Sequence, residues 1–345
     1  MRINKLVHLV ALILLLALTL SLFVGCNQKK DDEVVAKNRV FYDFFDTVCT
    51  IYDYSGGSED DFRQAYTHFE NRLNYYHQRF DIYHEYDGVN NIATINKNAG
   101  IAPVKVDAEI IEFLEFAVEM HRLTDGNVNI SMGSVLSVWH EYRTHGVEIP
   151  PMESLVEASG HTDISNMIID RENSTVYLSD PKMSLDVGAI AKGYTAEKIA
   201  ESLTEYGITS YVIDLGGNLR AIGTKKNGEK WKTGVQNPDT SADKPYVYYM
   251  HISDTSVVTS GDYQRFYTVD GKKYHHIIDK DTLMPSNYFA SVTIVTKNSG
   301  RADALSTALF NMSYDEGLKL VSSICDTSVV WVKHNGEVLT YGFDE

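Results

Sequence analysis

The chain has 345 residues, of which 43% are hydrophobic and 23% charged, with a formal net charge of −16. That length and balance describe an ordinary globular protein with a large core and one or two domains. The acid excess excludes nucleic acid as a partner, because a phosphate backbone needs a basic face, and argues against adsorption to anionic lipid; an acidic body that handles an anionic ligand needs a local cation.

Arg2 and Lys5 precede an apolar run over residues 6–24, which ends at Gly25-Cys26. A charged start, an apolar stretch and a small residue read as an export signal over residues 1–25. The cysteine that follows is similar to the lipobox cysteine of bacterial lipoproteins, so cleavage before Cys26 and lipid on its thiol are expected. A retained membrane anchor is the alternative, since the run approaches the ~20 residues that span a bilayer. Either way the body lies outside the cytoplasmic membrane, attached to it only through the anchor. Residues 26–38 are polar and read as a tether, leaving 39–345 as the folded domain. Cys49 and Cys325 have no C-x-x-C or zinc spacing and read as small buried hydrophobes.

Residues 41–54 are aromatic and β-branched and predict a strand. Ser58 or Asp60 caps a helix through Phe62, Ala65, Phe69, Leu73 and Tyr76. Asp87-Gly88 marks a turn, and a short helix ends at Gly100. Asp107 opens a second long helix, 108–123. Residues 126–143 carry no assignment; 144–151 is a loop and 152–159 a short helix. Residues 167–180 predict a hairpin. Residues 183–188, the helix carrying Lys192 and residues 210–224 predict a strand-helix-strand unit. Strands follow over 230–238, 246–262 and 265–279, with a hairpin at Asp270-Gly271, and then over 291–297. A helix over 299–312 and a hairpin around Asn335-Gly336 close the chain. Strands and helices mix without strict alternation, which favours α+β with a mixed sheet over a doubly wound fold.

The stretch SLDVGAIAKGYTAEKIAESL, residues 184–203, is the most informative. It places Asp186, a Gly-Ala turn and Lys192 at the mouth of a helix, where free N–H groups welcome anions. An acid, a lysine and a helix N-terminus together suggest a phosphate ligand with a metal ion. Asp303 and Thr307 share one helix face, and their hard oxygens suit Mg²⁺ or Ca²⁺ and not zinc. The same pair is also what an ordinary helix start with a buried Thr presents. Lys192 is either a phosphate partner or a solvated helix lysine. One of His275 and His276 is a candidate base or phosphate donor, against a packing role. No G-x-G-x-x-G opens a helix after the first strands, and neither G-x-x-x-x-G-K-[ST] nor G-x-S-x-G occurs. The chain therefore does not read as a classical dinucleotide, P-loop or α/β-hydrolase protein.

With SLDVGAIAKGYTAEK, IDLGGN, YHHIIDKDT and RADALSTALFNM in this order, the chain resembles the ApbE family, the FAD:protein FMN transferases, from about Phe41 to Gly342. The resemblance implies a mixed-sheet α+β fold with two subdomains flanking an FAD cleft, FAD as substrate and Mg²⁺ at its diphosphate. It implies that Ala189 through its carbonyl, Asp303 and Thr307 ligate the metal, and that His276 is the catalytic base beside the catalytic Asp303. Flavin nucleotide contacts are implied for Phe45, Tyr83, Asn127, Val128, Asn129, Asp186, Lys192 and Ile277. Phe45 stands where the family usually has Met, and Asn129 where it often has Asp. The implied reaction moves FMN from FAD to a Thr or Ser of an exported acceptor flavoprotein, with AMP leaving. The alternatives are hydrolysis of FAD by water on the same residues, and FAD binding without turnover.

Overall fold

A computed structural model describes residues 36–343; the export-signal, Cys26 and most of the tether readings lie outside these residues. The first element, β1 (Lys37–Phe44), begins two residues before the expected domain boundary. The predicted strand over 41–54 is instead the end of one strand, a turn and the second strand of a hairpin. β1 and β2 (Thr47–Asp53) pair antiparallel around Phe45 and Asp46, which both have positive φ, 55° and 49°. No glycine or proline announces this turn. Helix α1 (Glu59–Phe80) starts with a capping box between Ser58 and Asp61 and buries Phe62, Ala65, Phe69, Leu73 and Tyr76, the stripe expected from the sequence.

Short α2 (Ile92–Lys97), β3 (Val104–Lys105) and α3 (Ala108–Leu123) follow, the last capped by Asp107. Residues 126–143, left without assignment above, contain most of α4 (Gly133–His145), which buries Val135 and Trp139 at i and i+4. Helix α5 (Met152–Ser159) leads to β4 (Met167–Asp170) and β5 (Thr175–Leu178), which form the predicted hairpin and join β3 in a three-stranded sheet. Residues 183–188 do not form the expected strand. They make a single bridge, Ser184 to Met132, because Asp186 turns the chain by accepting the Gly188 N–H at 2.9 Å.

After α6 (Ala191–Glu205), β6 (Tyr211–Leu215) and β7 (Asn218–Ile222) pair around Gly216-Gly217. β8 (Trp231–Gln236) and β9 (Tyr246–Ile252) form a separate ribbon, as do β11 (Phe266–Val269) and β12 (Lys272–His275). β10 (Ser256–Gly261) and β13 (Ser291–Thr296) lie within the large sheet; α7 (Ser299–Phe310), α8 (Tyr314–Ser322), β14 (Ser328–Val332) and β15 (Val338–Tyr341) complete the chain. The large sheet runs β1-β2-β6-β7-β10-β13-β14-β15. The α+β class stands, and every ladder between the described strands is antiparallel.

Both faces of this sheet are covered. Ile213, Val329 and Trp331 belong to the main core with α6 and α7; Val212, Val330 and Val332 alternate with them and pack under the β8–β9 ribbon with Trp231 and Met250. Two-sided burial is why 329–332 reads as a continuous apolar run. Cys49 is buried in the main core, but Cys325 is exposed, contrary to expectation, and both are free thiols.

Candidate active site

One cavity of about 540 Å³ opens among the β1–β2 turn, the loop after α1, residues 127–129, helix α4, the N-terminus of α6, the face of α7 that carries Asp303 and Thr307, and residues 275–278. Every described candidate lines it: Phe45, Tyr83, Asn127, Val128, Asn129, Asp186, Ala189, Lys192, His276, Ile277, Asp303 and Thr307.

Its floor is the crossing of α6 and α7. At Gly193 the helices touch so closely that a Cβ would sit 2.4 Å from both the Cβ of Asp303 and the carbonyl oxygen of Ser299. That contact lets the Gly193 N–H donate to Asp303 Oδ2 at 2.8 Å, so α7 supplies the cap that the first turn of α6 lacks. Asn218, just past the Gly216-Gly217 turn, donates Nδ2 to the same oxygen at 2.8 Å, and Lys192 Nζ stands 3.9 Å away. Oδ1 of Asp303 accepts no hydrogen bond among the described residues. Burial pushes the Asp303 carboxyl above its ordinary range, against the pull of Lys192, Gly193 and Asn218. Burial likewise raises Asp186, whose backbone N–H is tied to Ile130 O at 2.8 Å. Thr307 lies one turn along α7 from Asp303, with Oγ1 3.4 Å from Ser260 Oγ.

The two histidines separate by geometry. His275 is spent: Nε2 donates to Ser286 O at 2.7 Å and Nδ1 accepts the Ile277 N–H at 3.2 Å. His276 places both its backbone N and its Nδ1 on the Arg265 carbonyl, at 3.2 and 3.3 Å. A carbonyl only accepts, so Nδ1 carries the hydrogen and Nε2 keeps a lone pair. Burial, then the Arg265 and Lys192 cations, push this imidazole down to about 3, so it is neutral.

The remaining candidates form walls. Tyr83 is 57% exposed, with its ring 5.5 Å from that of His140. The amides of Asn127 and Asn129 are committed to Thr124 O and Thr162 O at 3.0 and 2.9 Å, and the Val128 N–H to Thr124 Oγ1 at 3.1 Å. These bonds hold the 127–129 turn, and each Asn amide keeps a second N–H.

Sequence reasoning missed Asn218 as a partner of Asp303, and missed His77, His140, Arg143 and Arg265 in the lining. His140 and Arg143 share a face of α4, and assigning that helix from Val135, Leu136 and Trp139 was the signal that could have found them. Arg265 follows a strand end and carries no motif.

Among the described residues no three His, Cys, Asp or Glu side chains gather as a metal cluster. Asp303 with its free oxygen, the Thr307 hydroxyl and the Ala189 carbonyl are hard oxygen ligands lining this one cavity. Such a hard, incomplete oxygen set fits a divalent cation whose other ligands are phosphates and water.

The ApbE family model matches residues 45–331. The chain is 35% identical over 244 residues to the FAD:protein FMN transferase of Treponema pallidum, covering 67% of each. It is 29% identical over 249 residues to the FAD:protein FMN transferase of Klebsiella pneumoniae, covering 72% of this chain and 76% of that one. The crystal structure of the ApbE protein from Thermotoga maritima matches with TM-score 0.78 at 27% identity, over 88% of this chain and 96% of that one. The flavin transferase ApbE from Vibrio cholerae shares the fold, with TM-score 0.73 at 23% identity over 89% of this chain and 97% of that one.

Proposed function

The chain belongs to the ApbE family, and from that premise we propose that it is an FAD:protein FMN transferase, moving the FMN half of FAD onto a Thr or Ser hydroxyl of a partner protein. The observation that carries the reading is the crossing of α6 and α7. It brings an acid with an open oxygen, a lysine and a helix N-terminus into one cavity with a neutral imidazole.

In the reaction the acceptor oxygen forms a bond to the FMN-side phosphorus, the bond from that phosphorus to the bridging oxygen breaks, and AMP leaves. The hydroxyl proton passes to His276 Nε2. A base held near 3 is weak, but the cations that depress it, Arg265 and Lys192, face the same cavity. A bound diphosphate offsets their charge and raises the basicity of His276 where it is needed. Lys192 and the α6 N-terminus stabilise the charge that builds on the phosphoryl oxygens. Ala189 O, Asp303 and Thr307 would hold Mg²⁺, which supplies charge neutralisation at the diphosphate. Phe45, Tyr83, Asp186 and Ile277 orient the flavin nucleotide.

The reading of residues 1–25 as an export signal, with Cys26 after it, supports activity outside the cytoplasmic membrane, on an exported acceptor flavoprotein. The test incubates the chain with FAD, Mg²⁺ and a candidate acceptor, following AMP release and the intact mass of the acceptor. An FMN-sized mass gain matched by AMP is expected. AMP without mass gain selects hydrolysis by water, and FAD binding with no AMP at all selects a flavin-binding protein.

A further inference from the structure

We propose that His77 is a positioning residue for flavin nucleotide binding: its neutral imidazole holds the left-handed Phe45–Asp46 turn that sets Phe45 against the cavity. The inference rests on the FAD-binding reading above.

Both turn residues have positive φ without being glycine, and a bulky aromatic at that conformation persists only where its surroundings impose it. Three contacts impose it. The Phe45 N–H donates to His77 Nδ1 at 3.3 Å, and the two rings meet edge to face with centroids 5.6 Å apart. Arg265 Nη2 donates to Asp46 O at 2.8 Å. Gly216 lets the β6–β7 turn close in below, where a Cβ would collide with the Thr47 side chain.

His77 is itself fixed. With Nδ1 accepting, its Nε2–H donates to the Tyr86 hydroxyl oxygen at 3.2 Å, and that hydroxyl donates to Asp81 Oδ2 at 2.7 Å. Asp81 Oδ1 accepts the Tyr83 N–H at 2.7 Å. Both aromatic walls, Phe45 and Tyr83, thus hang from one hydrogen-bonded chain rooted in a buried carboxylate. Only the neutral imidazole serves, because a protonated ring has no lone pair for Phe45. The charged and titratable groups facing His77 are Asp46 on the hairpin and Asp81, His84 and Tyr86 on the loop; burial holds its pKa below the ordinary histidine value against the upward pull of Asp81 and Asp46.

The test is FAD affinity by flavin fluorescence titration, which needs no turnover, on His77→Asn, His77→Gln and His77→Leu, each with its thermal midpoint recorded. Asn carries an acceptor where Nδ1 was, whereas Gln reaches only as far as Nε2. His77→Gln and His77→Leu are expected to weaken FAD binding about 10-fold, with His77→Asn within about threefold of the parent. As pH falls well below the ordinary histidine range the parent should lose affinity while His77→Asn loses less. Parent-like affinity in His77→Leu, or equal losses in Asn and Leu, overturns the assignment. A parent chain that binds no FAD sinks the functional reading itself, and this inference with it.

Discussion

Two buried carboxylates cap each other's helices, and they end up with different work. Glu197 on α6 accepts the Ser299 N–H that starts α7, at 2.6 Å. Asp303 on α7 accepts the Gly193 N–H of the first turn of α6, at 2.8 Å. Glu197 is then matched by Arg220, whose Nε and Nη2 reach both its oxygens at 3.2 and 3.4 Å and whose Nη1 also meets Asp254 at 3.0 Å. Asp303 has only Lys192 at 3.9 Å and keeps one oxygen open to the cavity. The same device is charge-matched at Glu197 and only part-matched at Asp303, where an oxygen stays free for a ligand.

The sharpest way to break this contrast is to neutralise each acid in turn. Asp303→Asn keeps both donors satisfied through its amide oxygen, yet should bring FMN transfer to background, because substrate binding and charge neutralisation fail together. Near-normal transfer at limiting Mg²⁺ would remove Asp303 from the chemistry. Next, His276→Gln should lower kcat roughly 10² to 10⁴-fold, the range of a positioned base, with FAD affinity little changed. Lys192→Met should lower kcat/KM roughly 10- to 100-fold, the size of a lost charged hydrogen bond. Glu197→Gln leaves Arg220 under-matched and should cost about 3 kcal/mol of stability, seen in thermal or urea unfolding, while kcat per folded molecule stays within a few-fold. A larger catalytic loss than that would make Glu197 part of the site.

A further expected effect is a pH dependence. The folded pKa of His276 lies near 3, below its unfolded value of 6.5. Between those values the unfolded chain binds more protons, so stability rises with pH across the window and is lost as pH falls through it. The thermal midpoint of the parent should decline more steeply from pH 6.5 toward 3 than that of His276→Gln.

Much of the floor was legible because its residues are close in sequence and chemically marked: Asp186 and Lys192 flank a helix start, and Asp303 and Thr307 share a helix face. Their convergence was not legible from pattern, since it depends on Gly193 meeting Asp303 across 110 residues. Asn218 escaped for the same reason. The β1–β2 turn was invisible because Phe45 and Asp46 hold left-handed conformations through tertiary contacts and not through local preference. The α+β class could be read from the mixture of elements, but antiparallel pairing needed the strand order.

Strand β1 carries a mechanical consequence. Its far end is pinned where Lys37 Nζ donates to Gly57 O at 2.5 Å and Ser58 O at 3.2 Å, and its near end is the turn that walls the cavity. Its eight residues span about 26 Å at ~3.3 Å each. Tension arriving through the residues before Ala36 is therefore taken up at the Lys37 clamp, a full strand's length from the flavin wall. The strand acts as a boom that keeps the cavity mouth apart from the Lys37 clamp.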